Sequence, residues 1–273
     1  MRNLSKSQII KFQRTISSYY YKFGRHDLPW RKTTDPYYIL ISEIMLQQTQ
    51  VARVVSKYNT FIKQFPKIDN LANASLKSIL RLWSGLGYNR RAIALKKTAE
   101  IIYKKYNGKI PNSYAKLITL PGIGPTTANE ILAFAFNEPT VFIETNIRSV
   151  YIYSFFSNKE KVSDKDIIPL IEQTLDKSNP RTWYYRLMDY GAMLKSKNEN
   201  PSKRSSQYTK QTRFEGSNRQ ARGIILKTLL KDSLTEEELC ITTNLINSKI
   251  KHAFSQLHRE GFIKKKKNKY MIA

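Results

Sequence analysis

Leu120-Pro121-Gly122-Ile123-Gly124-Pro125-Thr126-Thr127-Ala128-Asn129 is the stretch whose reading decides the fold. Apolar residues recur at three- and four-residue intervals on both sides of it, over 113–118 and 126–136, so the string joins two helices. Gly122 and Gly124 allow backbone geometry that a side chain would block, leaving the amides of the turn and of the helix that begins near Thr126 open to a ligand. A helix N-terminus favours an anion, and Gly122, Gly124, Thr126 and Thr127 are therefore the expected phosphate cradle. A plain Gly-Pro connection between helices has the same composition. Here, however, a carboxylate follows 20 residues after Gly124: Glu144, in Val141-Phe142-Ile143-Glu144-Thr145-Asn146-Ile147-Arg148-Ser149-Val150.

Outward from the hairpin, the helical period recurs from Ile9 to Phe23 and over 37–49, 50–64, 75–82, 90–106, 144–156, 164–176 and 181–194. Short turns rich in Pro and Gly separate these runs, which predicts a compact helical array over 1–194. From 195 to 217 the chain becomes polar, basic and poor in large aliphatics, the signature of a linker. Beyond it, 219–231, 235–240 and 245–260 read as three short helices. Two short strands around a basic turn follow, with Lys264, Lys265, Lys266 and Lys267 as the wing of a winged-helix-like DNA-binding domain over 218–273. The alternative is a small helical cap with a solvated lysine tail.

The 273 residues carry 47 Lys+Arg against 21 Asp+Glu, a net charge of +26 that attracts polyanions. Abundant Lys, Asn and Ile also fit compositional drift, so charge suggests nucleic acid without deciding it. With one cysteine, Cys240, neither an internal disulfide framework nor a four-thiolate iron–sulfur site can form from this chain. No apolar run reaches the roughly 18 residues of a membrane span. A cytoplasmic, nucleoid-associated monomer with no membrane partner is expected.

Further blocks occur in order: Leu28-Pro29-Trp30-Arg31, Ile41-Ser42-Glu43-Ile44-Met45-Leu46-Gln47-Gln48-Thr49-Gln50-Val51, Leu82-Trp83-Ser84-Gly85-Leu86-Gly87-Tyr88 and Met188-Asp189-Tyr190-Gly191-Ala192. With the hairpin and its carboxylate, they make the chain from about 8 to 194 resemble the helix-hairpin-helix DNA glycosylases, and among them the adenine-DNA glycosylases of the MutY type. The resemblance implies an all-α, two-lobed fold, here with the small C-terminal winged-helix-like domain added. It also implies removal of a mispaired base, adenine opposite guanine or 8-oxoguanine, from double-stranded DNA in base-excision repair.

Cutting a base from deoxyribose passes through an oxocarbenium-like sugar, which calls for an acid for the leaving base and a carboxylate for the cation. Glu43 is the acid candidate, in apolar surroundings that favour its protonated form. Glu144 stands where the resemblance implies an aspartate, and its extra methylene is a departure; N-capping or pairing with Arg148 is its structural alternative. Relatives of endonuclease III type carry a lysine nucleophile at the position of Thr126, so a monofunctional hydrolase is implied. The resemblance assigns Arg31, Leu46 and Asp189 to the base pocket and Gln48 and Tyr88 to the wedge that fills the vacated stack; Arg90 and Arg91 beside them are expected phosphate contacts.

The family's four cluster cysteines would follow Ala192, where this chain has none, so no iron–sulfur cluster and no metal ligands are expected. The resemblance does leave room for a monovalent cation at the hairpin. Residues 218–273 are too short for the family's 8-oxoguanine-reading domain, which keeps two alternatives open: a mismatch thymine/uracil-DNA glycosylase, and a catalytically weak lesion-binding protein.

Overall fold

A computed structural model describes residues 3–197, 200–211, 213–243 and 247–273. Its helices, in chain order, are α1 (Lys6–Phe23), α2 (Pro36–Leu46), α3 (Val51–Gln64), α4 (Ile68–Asn73), α5 (Leu76–Trp83), α6 (Arg90–Lys105), α7 (Tyr114–Leu117), α8 (Pro125–Phe136), α9 (Thr145–Phe155), α10 (Asp164–Thr174), α11 (Pro180–Lys197), α12 (Asn218–Leu229), α13 (Glu236–Thr243) and α14 (Asn247–Arg259). A two-stranded sheet, β1 (Ile263–Lys266) and β2 (Lys269–Ile272), closes the chain. The architecture is all-α with that small sheet, as the periodicity predicts. Among the described residues, no helix is long and apolar enough to cross a membrane.

The chain divides into two compact units. The first comprises Met1–Leu40, Asn112–Thr119 and Ile123–Lys210, and the second Ile41–Pro111, Leu120–Gly122 and Gln211–Ala273. This differs from the linear division into 1–194, 195–217 and 218–273. The 1–194 stretch supplies both units, and a boundary falls inside α2 itself.

In the first unit, α11 packs on α9 and α1, burying Trp183, Tyr151 and Phe12 around one aromatic cluster. The contact between α9 and α11 depends on Gly191: a Cβ there would lie 2.3 Å from the Asn146 carbonyl oxygen, so no other residue fits. Part of the expected linker is ordered structure here. Pro201, Ser202 and Ser205 are buried, and Val162 pairs with Ser205 in a parallel bridge. Arg204 donates to the carbonyls of Phe156 at 2.7 Å, of Ser157 and Lys159 at 3.1 Å, and of Ile152 at 3.3 Å. A guanidinium thus closes the C-terminal end of α9, where orphan carbonyls and the helix dipole favour a cation.

In the second unit, α4 and α6 pack together, and Trp83, Phe61, Leu71, Leu95 and Ile102 are fully buried. Helix α4 falls outside the predicted elements, although Ile68, Leu71 and Ala72 carry the three- and four-residue spacing of a buried helical face. The C-terminal part has the winged-helix order α12, α13, α14, β1, β2, with a bridge from Leu234 to Tyr270. Lys267 and Asn268, at φ 45° and 59°, form a two-residue turn of the primed type that suits the twist of the hairpin. The expected helix from 245 begins partly outside the described residues.

Candidate active site

Glu43 lies near the C-terminal end of α2, in the second unit. Ile39, Leu40, Ile41, Ile44 and Met45 around it are fully buried, and Glu43 itself is 7% exposed, with Ser42 Oγ donating to its Oε1 at 3.1 Å. A carboxyl group here is costly unless its protonation or its partners compensate it. Leu46, half-buried, is the last residue of the helix, because Gln48 takes a left-handed φ of 55°.

Arg91 explains how that helix end is held, and its place corrects the expectation of a phosphate contact. The residue is 8% exposed. Its guanidinium donates to the carbonyls of Ile44 and Met45, both at 2.9 Å, to that of Gln47, to Gly87 O at 3.0 Å and to Thr49 Oγ1 at 2.9 Å. Burial pushes its pKa down to about 10. It is an internal strut joining the end of α2 to the 84–88 loop. Arg90 differs: its side chain is 73% exposed and pairs with Glu260 at 2.6 Å.

Tyr88 and Gln48 are exposed and both left-handed, Tyr88 at φ 46°. Such backbone costs of order 1–3 kcal/mol per residue and clusters at functional sites. The Tyr88 hydroxyl accepts hydrogen bonds from Gln211 Nε2 and from Arg219 Nη1, the latter at 2.9 Å. Sequence reasoning missed both partners, which come from the segment read as a linker and from α12.

At the hairpin, Gly122 has φ 80°, and a Cβ there would meet Ala94 Cβ at 2.8 Å. Gly122 O accepts from Gln47 Nε2 at 3.1 Å. Helix α8 has Gly124 as its N-cap and no side-chain cap, so nothing from that position covers its first amides. Thr126 is exposed, whereas Thr127 is buried. Lys264 to Lys267 are exposed along the β1 edge of the hairpin and its turn.

Glu144 lies in the first unit as the N-cap of α9. Its Oε1 accepts from the backbone N–H groups of Asn146 at 2.7 Å and Ile147 at 2.8 Å, and its Oε2 from Asn146 Nδ2 at 3.1 Å. Arg148 is turned away to Asp164, at 2.7 and 2.8 Å, so the alternative pairing with Glu144 is not the one formed. Lys195 donates to Asn146 Oδ1 at 3.1 Å, completing a chain from Glu144 through Asn146 to a cation. Burial raises the Glu144 pKa, against the pull of the two backbone amides and Lys195. The capping carboxylate is thus fixed in direction and set in a poorly solvated place. Sequence reasoning missed this contact; Gly191, where a Cβ would strike Asn146, is the signal that could have shown α11 reaching it.

Arg31 and Asp189 do come together, but as a buried ion pair rather than as groups open to a base. Arg31 lies over the Tyr185 ring at 4.4 Å, and Arg25 binds the same carboxylate through its backbone N–H at 2.8 Å and its Nε at 2.6 Å. The donor set after Ala192 does not suit a thiolate cluster. Lys195 there faces Asn146, Arg204 holds the segment to α9, and Cys240 belongs to α13 in the other unit.

Comparison with known proteins places this geometry in a family. Residues 41–173 match the HhH-GPD superfamily of base excision DNA repair proteins. An adenine DNA glycosylase of Buchnera aphidicola subsp. Baizongia pistaciae is 46% identical over 187 residues, which is 67% of this chain and 52% of that protein. A thymine/uracil-DNA glycosylase of Pyrobaculum aerophilum is 37% identical over 152 residues, 55% of this chain and 66% of the relative. Among solved structures, a thermostable thymine-DNA glycosylase superimposes with a TM-score of 0.62 at 26% identity, covering 74% of this chain and 97% of that one. The chain spans about half the length of the adenine DNA glycosylases it matches. The hairpin with its uncapped helix N-terminus, the buried Glu43 on α2 and the capping Glu144 on α9 all lie within the matched residues, and this stretch, 41–173, belongs to the HhH-GPD superfamily of base excision DNA repair proteins.

Proposed function

We propose that this protein is a monofunctional DNA glycosylase that removes mispaired adenine from duplex DNA. The observation that carries the proposal is Glu43, a carboxyl group only 7% exposed among the apolar residues of α2, within the stretch that matches the HhH-GPD superfamily. In this reading Glu43 gives its proton to a ring nitrogen of the base. The bond from the base to C1′ then breaks with its electron pair on the leaving adenine, and Glu144 stabilises the sugar cation that remains. Water adds at C1′, with Glu43 taking its proton. Thr126 carries no amine, so no Schiff base forms at that position and the abasic strand stays intact. The uncapped N-terminus of α8 favours a phosphate, and the net charge of +26 favours DNA in general. With a single cysteine in the chain, the reaction as read here involves no iron–sulfur cluster.

Single-turnover assays test this on duplexes bearing adenine opposite 8-oxoguanine, guanine or cytosine, and thymine or uracil opposite guanine. The expected result is alkali-dependent cleavage at adenine that Glu43→Gln abolishes. Release of thymine or uracil instead would replace adenine by the mismatch-pyrimidine reading. Tight binding with every duplex intact would leave a lesion-binding protein.

A further inference from the structure

The first unit contains a cavity of about 680 Å³ lined by α1, the 175–178 turn and the first half of α11. Trp183 and Arg186 both line it, three residues apart and so on one face of α11. Trp183 is 1% exposed, and its indole Nε1 has no hydrogen-bond partner among the described residues. The same holds for the buried Nε of Arg186, although the rest of that guanidinium is fixed: Nη1 donates to Ser17 Oγ and Nη2 to the Tyr21 hydroxyl, each at 3.1 Å. A buried N–H without an acceptor carries the full cost of its desolvation, so two of them on side chains of one cavity wall call for an acceptor there.

The surrounding charge favours an anionic acceptor. Arg14 and Lys177, both exposed, join Arg186 in the lining, against Asp176. That acid is engaged by its own turn, its Oδ1 accepting from Ser178 Oγ at 2.6 Å and from the backbone N–H groups of Ser178 at 3.1 Å and Asn179 at 3.2 Å. Gln13, also in the lining, donates to the carbonyl of Thr174 at 2.9 Å and so blunts the negative end of α10, whose last residue is Thr174. Three cations with two unpaired N–H groups suit a dianion with several acceptor oxygens better than a single carboxylate. The volume falls within the roughly 300–1,000 Å³ of small-molecule sites, which leaves room beside such an anion for an organic group, bordered by Leu175 and the Trp183 ring.

We propose that this cavity binds a small phosphate monoester, whose phosphate oxygens accept from the Trp183 indole and from Arg186 while Arg14 and Lys177 neutralise its charge. The site lies wholly in the first unit and uses none of the residues assigned to base excision, so it stands whether or not the glycosylase reading does.

Titration of the full chain with phenyl phosphate, inorganic phosphate and sodium chloride, at constant ionic strength, tests it by calorimetry and by NMR of the indole N–H groups. The chain has 3 Trp, and the Trp183 signal is identified by its loss in Trp183→Phe. Both phosphate probes are expected to bind saturably and to move that signal downfield, as a new hydrogen bond does, with phenyl phosphate the tighter. Replacing Arg14 and Lys177 together by Gln changes only exposed side chains. It should weaken both probes several-fold while leaving the melting temperature without phosphate unchanged. A Trp183 signal that phosphate does not move, or that chloride moves equally, would overturn the site, as would unaltered affinity in the folded double variant. Equal affinity for the two probes would leave inorganic phosphate as the ligand and overturn the monoester.

Discussion

Arg31 and Asp189 meet as two parallel forks, Nη1 to Oδ2 at 2.7 Å and Nη2 to Oδ1 at 2.9 Å, with side chains only 5% and 2% exposed. Burial alone would raise the Asp189 pKa, but the hydrogen bonds and charge of Arg31, with Arg25, override it and hold the carboxyl below its usual range. A depressed folded-state pKa stabilises the protein fully above the unfolded value, about 3.9 for Asp, and that contribution fades as pH falls below it. Asp189→Asn is therefore expected to cost about 3–5 kcal/mol at neutral pH, because it leaves buried guanidinium uncompensated. Urea unfolding at several pH values checks this, the deficit narrowing only below about pH 4. A variant of normal stability with altered base preference would return Asp189 to the base pocket.

Arg91→Lys separates strut from phosphate contact. One ammonium cannot replace a fork that reaches carbonyls of Ile44, Met45 and Gly87 together, so several acceptors lose their donor. A loss of about 2–3 kcal/mol in unfolding free energy is expected. The charge-removing Arg91→Gln should leave the salt slope of DNA binding at the wild-type value, since Arg91 neutralises no phosphate. A slope lower by about 0.9 in Arg91→Gln, with the stability of Arg91→Lys intact, would restore the direct contact.

Gly191→Ala addresses Glu144 without touching it. The new methyl group would press on the Asn146 carbonyl, and the Asn146 side chain links Glu144 to Lys195. Displacement of a catalytic group by an ångström can cost about a hundredfold in rate. The expected signature is a large fall in the single-turnover excision rate with duplex affinity little changed. An equal fall in both would mean that the first unit as a whole had been disturbed.

These examples also show which parts were legible in the sequence. The hairpin was legible because Gly122 and Gly124 fall between two periodic runs; the apolar neighbours of Glu43 pointed to its burial, while its choice as the acid came from the resemblance alone. Arg91 was not: its partners are backbone carbonyls presented by loops, and a carbonyl has no identity in a sequence. Nor was the link from Glu144 to Lys195, made by a packing contact between α9 and α11. The division into units was hidden for a different reason: α2 carries one continuous helical pattern across the boundary between Leu40 and Ile41.

The raised pKa of Glu144 predicts where activity fails in acid. The proposed role needs the ionised form, which is lost as pH falls through a value above the ordinary one of about 4.3. The acid limb of the excision rate should therefore lie higher than an unperturbed glutamate would place it. The residual rate of Glu144→Gln should lack that limb. Were the limb retained in Glu144→Gln, another group would be titrating.

Lys264, Lys265, Lys266 and Lys267 give the C-terminal hairpin a concentrated charge, and all four side chains are exposed. The left-handed pair at Lys267 and Asn268 sets the turn. Alanine at Lys264, Lys265 and Lys266 removes charge while preserving that turn and the Ile263–Ile272 pairing. Each lysine that neutralises a duplex phosphate releases a counterion and contributes about 0.9 to the salt slope, so the triple variant should lose at most about 2.7. The loss should be uniform across DNA sequences and visible in titrations between about 50 and 200 mM salt. A changed base preference at an unaltered slope would contradict a wing that holds phosphates. It would mean that the hairpin reads bases, a task for which lysines on a two-residue turn offer point charges rather than a paired donor and acceptor.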